Sequence, residues 1–532
     1  MDVAELAAKV EDLAARFEQA ERAREQAQLE REQAQRERDE YRKLYQQMLE
    51  KCRKLELGLL GQKAERMPAD EGQLTLQVLS TLLGDGEPPP VATDEARPSK
   101  RRKPTGRKPL PENLPRVEIE LIPEEVERKG RDAFERIGEE VRETVERRPS
   151  SMVVVRVIRP KFVEKKRRDD AKTVVHIAAP LDLPIERGLA GPGLLADTIV
   201  RRWQDHMPLH RLEKMYRREG LDLARSTMCE WHGRLAKLVV PLVDAMWTDA
   251  RRSPYLCVDA TGVLVQAKER CRRGHFWVAV APGRHVLYGY SAKHDGRAVD
   301  EFLGDYHGYL VADAHSVYDH LYADGTCIEV ACWAHARRYF FKALESDPQR
   351  AREALSLIRG LFQLERESAK LTPKKRKRAR QERSRLLVDH FLRWCDDNEL
   401  EVLGESPIGK AIQYARNQRE ALQQFLHDGR LPMHNNISEL HLRRQAVGRK
   451  NWLFVGNDEA GGVNAAFVSL LASAEMHGVE PFGYLRDLLI LLPGWTRSKV
   501  LELAPLNWVA TVAQDDVAAR LESNVFRDIN VG

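Results

Sequence analysis

The chain has 532 residues, 42% of them hydrophobic and 31% charged, with a formal net charge of +5. That length excludes a single hydrophobic core, so we expect three or four folded units. Apolar runs such as residues 488–492 are far too short to span a bilayer, which argues against a membrane protein and favours a cytosolic one. The seven cysteines form no Cys-x-x-Cys pair, and we interpret Cys257, Cys327 and Cys332, which lie in apolar runs, as reduced core residues.

Residues 1–66 contain no proline and follow a heptad pattern. Val3 and Val10 occupy a positions and Leu6 and Leu13 occupy d positions, as in a coiled-coil seam. In the middle heptads arginine stands at a and alanine at d, which weakens the seam. We therefore expect a coiled coil through which the chain associates with itself, with a solvated single helix as the alternative.

A basic, proline-rich segment follows at residues 67–111. Its stretch from Arg97 to Lys108 carries seven cations and no acid. Such a segment is a linker, which either stays solvated or contacts phosphates without reading sequence. Residues 112–186 then form a small α+β module, whose clearest strand is Val153–Pro160.

Residues 187–245 have the pattern of a helix-turn-helix unit. Helical spacing covers Leu194–Trp203 and Leu209–Arg218, Gly220 supplies a turn, and Thr227–Glu230 matches a capping box that opens a third helix. In this motif the exposed start of the third helix contacts base edges. We therefore expect five residues to contact double-stranded DNA: Arg225, Ser226, Thr227, Glu230 and Arg234. Three short helices that only pack against each other are the alternative.

Two apolar runs in the sequence are each followed by an aspartate. Tyr255–Gly262 has the pattern of a buried strand that ends at Asp259, and Gly308–His315 repeats the arrangement with Asp313. Aspartates at the ends of neighbouring strands converge at one edge of a sheet, where their oxygens suit Mg²⁺ or Mn²⁺. One such residue is more often a turn or cap residue, but two in this order favour a metal site.

The elements around these aspartates follow a particular order. The turn Pro282-Gly283 joins two predicted strands, His275–Val280 and His285–Tyr290. A short helix, the Asp313 strand, a second helix and the strand Cys327–Cys332 come next. This order is that of a ribonuclease H-like sheet, so we expect a multidomain α+β protein with a catalytic domain of that type.

Two carboxylates rarely hold a pair of metal ions, so we expect a third acid on a helix further along the chain. Glu439 is the strongest candidate, because Asn436 or Ser438 could cap its helix and direct the carboxylate towards the sheet. Three other acids lack that context: Glu401, Glu405 and Glu420.

The predicted catalytic domain comprises residues 246–335 and 431–460. The residues between them, 336–430, have a mostly helical pattern and form an insertion. Its basic run, Lys374–Arg378, is either a solvated face or a surface that follows a phosphate backbone. Residues 461–532 form a C-terminal helical segment.

Further segments make the sequence recognisable: Ala331–Arg338, Asp428–Asn436 continuing to Glu439, Gly448–Phe454 and Gly478–Arg486. With the two aspartate strands, they resemble the DDE transposases of the insertion sequence 66 family over most of the chain. The resemblance implies an enzyme that binds the terminal repeats of its insertion sequence. It also implies metal-dependent DNA strand cleavage and strand transfer.

By this resemblance Asp259, Asp313 and Glu439 map onto the catalytic triad and bind Mg²⁺ or Mn²⁺. Two such ions activate a water on one side of a phosphodiester and stabilise the leaving 3′ oxygen on the other. The implied partners are double-stranded DNA at the element ends and at the target, further copies of the chain, and small helper proteins of the same element. The implied location is the bacterial cytoplasm, in association with the nucleoid.

Four side chains are expected at DNA phosphates: His335, Arg338, Arg449 and Lys450. The first two would lie beside the triad, although a core histidine bonded to the backbone is the alternative for His335. Arg449 and Lys450 are favoured because Trp452 and Phe454 anchor their segment next to the helix of the third acid.

Two departures from the family pattern are visible. His434 stands where many relatives carry Asp, which could alter activity. Relatives often carry a cysteine-based zinc module ahead of the helix-turn-helix, whereas residues 112–186 contain no cysteine, so we expect no structural zinc there. Two other functions stay open at this stage: a catalytically silent DNA-binding relic, and a ribonuclease H-like nuclease without strand transfer.

Overall fold

The structure is a computed structural model that describes residues 114–148, 151–164, 175–186 and 188–527, with a few isolated positions nearer the N-terminus. Apart from those positions, the predicted coiled coil at 1–66 and the basic linker at 67–111 lie outside the described residues. The described part is a mixed α+β protein with two sheets and many helices. None of the helices described there is long and apolar enough to cross a membrane.

Two units make up the chain. Ala336–Arg366 and Arg383–Asn417 belong to one unit. The other unit consists of Pro104–His335, Glu367–Glu382 and Gln418–Gly532, and it contains both sheets.

The first sheet lies in the N-terminal part of the described chain. Its strands are β1 (Arg116–Glu120), β2 (Phe134–Arg148), β3 (Ser151–Glu164) and β4 (Val175–Ile177), and helix α1 (Glu124–Lys129) follows β1. β3 pairs in parallel with β1 and antiparallel with β2 and β4. Val153, Val155 and Val157 recur with the two-residue period of a strand and are buried in one cluster with Phe526. The predicted strand Val153–Pro160 is thereby confirmed.

Three helices follow this sheet: α2 (Pro192–Ile199), α3 (Leu209–Arg218) and α4 (Arg225–Ala250). A π-helical turn, Val200–Gln204, extends α2. The predicted capping box at Thr227–Glu230 is wrong, because α4 already begins at Arg225 and its N-cap residue, Ala224, makes no side-chain cap. Ala224 has no side-chain oxygen with which to cap, and the buried Leu223 precedes it; the helix then runs for 26 residues.

The second sheet consists of β5 (Tyr255–Val265), β6 (Arg272–Ala281), β7 (His285–Ser291), β8 (Gly308–Val311), β9 (Cys327–Val330) and β10 (Phe454–Val455). Its strand order is β7-β6-β5-β8-β9, with β10 also paired to β5. Helix α5 (Gly296–Leu303) follows β7, and α6 (Asp319–Ala323) follows β8. The predicted antiparallel meander is confirmed, and Gly283 adopts a φ of +74° at its turn. The three cysteines predicted in the core are buried and free.

Strand β5 does not end at Asp259 as predicted. It continues to Val265, because its second half pairs with β6 and its last two residues also pair with β10. The element that stops near Asp259 is the parallel ladder with β8, whose last pair is Cys257 and Val311. Asp259 therefore lies inside a strand, just beyond the point where pairing with β8 ends and where pairing with β6 continues.

The remaining chain is almost entirely helical. Its helices are α7 (Trp333–Lys342), α8 (Pro348–Ser368), α9 (Pro373–Ala379), α10 (Arg385–Glu399), α11 (Pro407–Asn417), α12 (Arg419–Gln423), α13 (Asn436–Trp452), α14 (Asp458–Met476), α15 (Pro481–Leu491), α16 (Trp508–Val512) and α17 (Asp515–Glu522). The basic run Lys374–Arg378 falls in α9.

Helix α14 covers the outer strand of the second sheet. Strand β7 is at one end of the strand order, so its outward N–H groups have no strand partner. The buried hydroxyl of Ser469 accepts from the Tyr288 N–H at 2.8 Å, and that of Ser473 accepts from the Val286 N–H at 3.0 Å. Two helix serines thus satisfy this strand edge.

A buried carboxyl joins the first sheet to α2. Glu146 in β2 is fully buried, and its Oε1 accepts from the backbone N–H groups of Arg147 at 2.6 Å and Leu194 at 2.7 Å. Burial raises the pKa of Glu146 to about 8, against the lowering effect of these hydrogen bonds. Glu146 is therefore protonated at neutral pH in the folded chain and ionised in the unfolded chain.

This pKa predicts that stability falls as the pH rises. The unfolded chain releases the Glu146 proton near pH 4.5 and the folded chain keeps it until about pH 8, so the free energy of unfolding decreases across that interval. Glu146→Gln, which imitates the protonated carboxyl, should remove this decrease. Its melting temperature relative to wild type should rise from pH 5 to pH 8.5. The exposed Glu135→Gln is the control, and a pH-independent difference for Glu146→Gln would contradict the assignment.

Candidate active site

The parallel register of β5 and β8 brings Asp259 and Asp313 next to each other. The last residue pair of the ladder is Cys257 and Val311, and each aspartate lies two residues beyond it on its own chain segment. Neighbouring strands are about 4.8 Å apart, so the backbones of the two aspartates start from neighbouring positions at the same end of the ladder. Both are half-buried, and the Oδ1 of Asp259 accepts from the Ala260 N–H at 2.7 Å.

A buried phenol lies close to both aspartates. Tyr318 is 2% exposed and belongs to the short 3₁₀ turn Ser316–Tyr318 that precedes α6. Its pKa is raised well above the usual value, mainly by burial and further by the negative charges of Asp313 and Asp259. The Tyr318 hydroxyl therefore stays protonated near the two carboxylates.

The third predicted acid is attached to this site through the start of α13. Asn435 is fully buried, and its Nδ2 donates to the carbonyl oxygen of Val258 at 2.7 Å, immediately before Asp259. The Asn435 N–H also lies 3.2 Å from the Sγ of Cys332. Glu439 stands one helical turn further on, since its N–H donates to the Asn435 carbonyl at 3.3 Å. The chain thus fixes the start of the Glu439 helix to strand β5.

The predicted cap of this helix is wrong. Neither Asn436 nor Ser438 caps it, and Ser438 instead donates its hydroxyl to the Asn435 carbonyl at 2.9 Å. Asn435 occupies the N-cap position, and its Nδ2 donates to Val258, but its Oδ1, the atom that would cap the helix, is buried without a hydrogen-bond partner among the described residues. The side chain therefore serves a tertiary hydrogen bond and makes no local cap.

Glu439 contacts an imidazole. Its Oε1 lies 3.4 Å from the Nε2 of His335, which is the third residue of α7. Both side chains are partly exposed, at 18% for His335 and 25% for Glu439. The structure thus brings His335 into contact with Glu439, and its predicted role at a DNA phosphate stays a prediction.

The donor types suit a divalent metal ion, although the arrangement is incomplete. Asp259 and Asp313 supply carboxylate oxygens at the same end of the β5–β8 ladder, and such oxygens are the ligands that Mg²⁺ and Mn²⁺ prefer. Among the described residues no group of three or more His, Cys, Asp and Glu side chains is arranged to hold a metal ion. The two aspartates therefore fit as ligands, whereas Glu439 is engaged with His335.

The other predicted phosphate contacts lie in different surroundings. Arg449 in α13 donates to the Thr261 hydroxyl at 2.9 Å and to the Gly262 carbonyl, and so connects the end of α13 to β5. Lys450 is exposed. Arg338 belongs to the unit with residues 336–366 and not to the unit of the three carboxylates. Trp452 is buried as predicted, but Phe454 is 41% exposed and anchors little.

The five predicted DNA-contacting residues lie in the first three turns of α4. Four of them are exposed and Thr227 is half-buried. Arg225 pairs with Glu213 at 3.2 Å, and Arg234 pairs with Glu230 at 2.6 Å. Such exposed ion pairs are weak and can exchange for phosphate contacts.

Three histidines near Asp313 were missed by the sequence reasoning. The ring centroids of His275 and His294 are 4.8 Å apart, those of His294 and His315 are 4.6 Å apart, and Trp277 stacks on His294. Burial lowers the pKa of His294, as do the neighbouring His315 and His275, while Asp313 opposes the shift. The only sequence signal was His315, two residues after Asp313, because the other two histidines arrive from β6 and the end of β7.

Comparison with known proteins places these elements in a family. The profile described as Transposase IS66 family matches residues 187–463, which include all three candidate acids. Two further profiles match: Transposase C of IS166 homeodomain at residues 47–119, and IS66 C-terminal element at residues 469–506.

Similar proteins also occur in Sinorhizobium fredii (strain NBRC 101917 / NGR234). The uncharacterized protein y4hP is 27% identical over 490 residues, which cover 86% of this chain and 88% of that protein. The uncharacterized protein y4qI is 30% identical over 431 residues, covering 77% of this chain and 78% of its own. The match of the first profile to more than half of the chain shows that this protein belongs to the IS66 family of transposases.

Proposed function

We propose that this member of the family is an active DDE transposase, which binds the terminal repeats of its insertion sequence, cuts DNA there and joins the freed 3′-OH to target DNA. One observation carries the proposal. The β5–β8 register sets Asp259 beside Asp313, and the Asn435 bond to Val258 attaches the Glu439 helix to the same strand. Three acids from distant parts of the sequence are thereby attached to one end of a parallel ladder.

The topology of the second sheet supports a ribonuclease H-like catalytic domain. Three antiparallel strands are followed by two parallel ones, with α5 and α6 in the connections. We assign residues 246–335 and 431–460 to this domain, 336–430 to its helical insertion, 187–245 to the helix-turn-helix and 461–532 to the C-terminal helical segment. The proposed helix-turn-helix is supported by the succession α2, α3 and α4 with exposed arginines at the start of α4.

The proposed cofactor is Mg²⁺ or Mn²⁺, held by Asp259, Asp313 and Glu439. When bound, such ions activate a water and stabilise the leaving 3′ oxygen of a phosphodiester. The chain itself has three tasks. Asn435 positions the helix of Glu439, the neutral Tyr318 hydroxyl lies near the two aspartates, and His335 holds Glu439 in the structure described.

The proposed function also implies DNA and protein partners. Double-stranded DNA would contact the start of α4, with Lys450 and the basic helix α9 as further cations for phosphates. The heptads of residues 1–66 would join copies of the chain, so that two element ends are held together. Small helper proteins of the same element and action at the bacterial nucleoid complete the proposal.

One observation favours a second function. Glu439 contacts His335, and no three-ligand metal site is formed among the described residues. A catalytically silent DNA-binding protein would retain this arrangement permanently. Binding to DNA without metal-dependent cutting distinguishes it from the transposase.

The first test replaces one aspartate. In Mg²⁺ or Mn²⁺, wild type should nick and join a plasmid that carries the DNA flanking its own gene. Asp313→Asn should lose at least about two orders of magnitude in rate, because a metal ligand is removed while the side-chain volume is kept. Asp305→Asn is the matched control, since Asp305 is exposed just before the same strand.

The outcomes of this assay separate the candidate functions. Metal-dependent joining that is lost in Asp313→Asn supports the transposase. Nicking without joining indicates a nuclease instead. If wild type binds the ends but does not cut them, even with the helper proteins supplied, the catalytic proposal is wrong and the silent DNA-binding protein replaces it.

The second test addresses the position of Glu439. Asn435→Ala removes the buried bond to Val258 and leaves that carbonyl unsatisfied, which should cost about 1–3 kcal/mol of stability. Nicking by the folded fraction should also fall, since the Glu439 helix is no longer fixed to β5. Asn451→Ala, on the same helix, removes only a bond to the preceding turn and should change neither property. Full nicking activity in folded Asn435→Ala would contradict the positioning role.

A further inference from the structure

A cavity of about 740 Å³ lies where α4 faces the α13–α14 connection. Its lining includes Arg202 and Trp203 from the turn after α2, Arg234 and Lys237 from α4, Trp452 from the end of α13 and Asn464 from α14. We call it the α4–α14 cavity. Its volume is in the range of about 300–1,000 Å³ that holds small ligands in proteins. It is separate from the site of the three acids, none of which lines it.

Arg202 is the unusual residue of this cavity. Its guanidinium lies 5.7 Å from the ring centroid of Trp452 and donates to the Met207 carbonyl at 3.4 Å, a long hydrogen bond. No carboxylate among the described residues pairs with it. Burial lowers the pKa of Arg202 to about 10, so the group remains charged at neutral pH. The Trp452 ring and the Met207 carbonyl compensate part of the cost of burying this cation, and an anionic ligand in the cavity would compensate the rest.

The charges around the cavity favour an anion. Arg234 is neutralised by Glu230 at 2.6 Å, but Lys237 is exposed and has no ion pair in the described part of the chain. Arg202 and Lys237 together outweigh the one remaining acid of the lining, Glu459. His232 adds no charge, because burial, with the nearby Arg202, lowers its pKa to about 3.

The walls also offer aromatic and amide groups. Trp203 stacks on Phe467, with ring centroids 5.0 Å apart, and packs at a tilt against His232, with ring centroids 4.7 Å apart. Trp452 packs in the core beside Val263 and Val455, with the Arg202 guanidinium over its ring, so both tryptophans border the cavity mainly by their edges. The Oδ1 of Asn464 accepts from Gln445, and its Nδ2 has no partner among the described residues. A ligand that combines an anionic group, a flat ring and polar ring edges fits these features.

We propose that the α4–α14 cavity receives one unpaired nucleotide of a DNA strand, with its phosphate at Arg202 and its base against the wall formed by Trp203 and Trp452. A nucleotide joins the three features that the cavity matches: a phosphate, an aromatic ring and hydrogen-bonding ring edges. The choice of a DNA strand as its source rests on the proposed function, since α4, the proposed DNA-contacting helix, forms one wall. The protein would thus hold a base that has left the duplex.

The test uses the full chain and two labelled duplexes from the DNA flanking its own gene, one fully paired and one with a single unpaired adenine. Fluorescence anisotropy at fixed salt should show about tenfold tighter binding of the second duplex, as expected for one base stacking on an aromatic wall. Arg202→Met should abolish this preference while leaving affinity for the paired duplex within about twofold. Excess dAMP should also abolish the preference in wild type. Arg497→Met, an exposed arginine outside the cavity, should behave as wild type.

The melting temperature of Arg202→Met provides an independent test of the inference. Because Arg202 is an unpaired cation, Arg202→Met should melt at the same temperature as wild type or higher. A clear fall in the melting temperature would show that Arg202 supports the fold and would overturn the inference. Trp452 is unsuitable for this test, since it belongs to the core.

The outcomes separate this inference from the proposed function. Equal binding of both duplexes by wild type overturns the inference and leaves DNA binding intact. Binding of dAMP that depends on Arg202, without any preference between the duplexes, overturns the DNA strand as the source. If wild type binds neither duplex, the proposed function fails. The nucleotide assignment is then tested by calorimetry with dAMP. It is overturned as well if wild type shows no binding of dAMP that depends on Arg202.

Discussion

The side-chain amide of Asn435 donates to the carbonyl of Val258, and this buried bond connects the helix of Glu439 to the strand of Asp259. The two residues that it joins are 177 positions apart in the sequence. A buried carbonyl without a donor costs free energy, so the bond also resists separation of α13 from β5. The relative position of two of the three acids depends on it.

The aspartates depend on a second constraint, the length of the β5–β8 ladder. The ladder stops at Cys257 and Val311, so Asp259 and Asp313 both follow its last pair at the same distance along the chain. Tyr318 fills the space near them as a neutral, buried group. The region around the acids is therefore built from strand register and burial, with little contribution from local turns.

Short-range patterns made much of this arrangement predictable. Two-residue periodicity identified the strands, Pro282-Gly283 identified the hairpin turn, and the order of elements pointed to two adjacent aspartates. The continuation of β5 to Val265 was not predictable, because it depends on β10, which lies far along the sequence. The contact of Glu439 with His335 and the histidines beside Asp313 arise in the same way from tertiary packing. Local capping rules failed at α13 and α4, because the residues at both N-cap positions, Asn435 and Ala224, make no side-chain cap.

Helix α14 relates the sheet to the α4–α14 cavity. Its serines satisfy the edge of β7, and it also contacts α4. A helix held this firmly on the sheet gives the cavity a rigid wall, and the unpaired Arg202 stands opposite proposed DNA-contacting residues of α4. Helix α14 therefore supports both the proposed DNA-contacting helix α4 and the sheet that carries the proposed catalytic Asp259.

The central claim is that Asp259, Asp313 and Glu439 form one metal site. Diffraction from crystals of the protein grown with Mn²⁺, measured at the manganese absorption edge, tests it directly. An anomalous peak should lie between Asp259 and Asp313, with Glu439 moved from His335 towards the ion. Crystals that contain Mn²⁺ but show no peak at the two aspartates, or a peak with Glu439 still paired to His335, would contradict it.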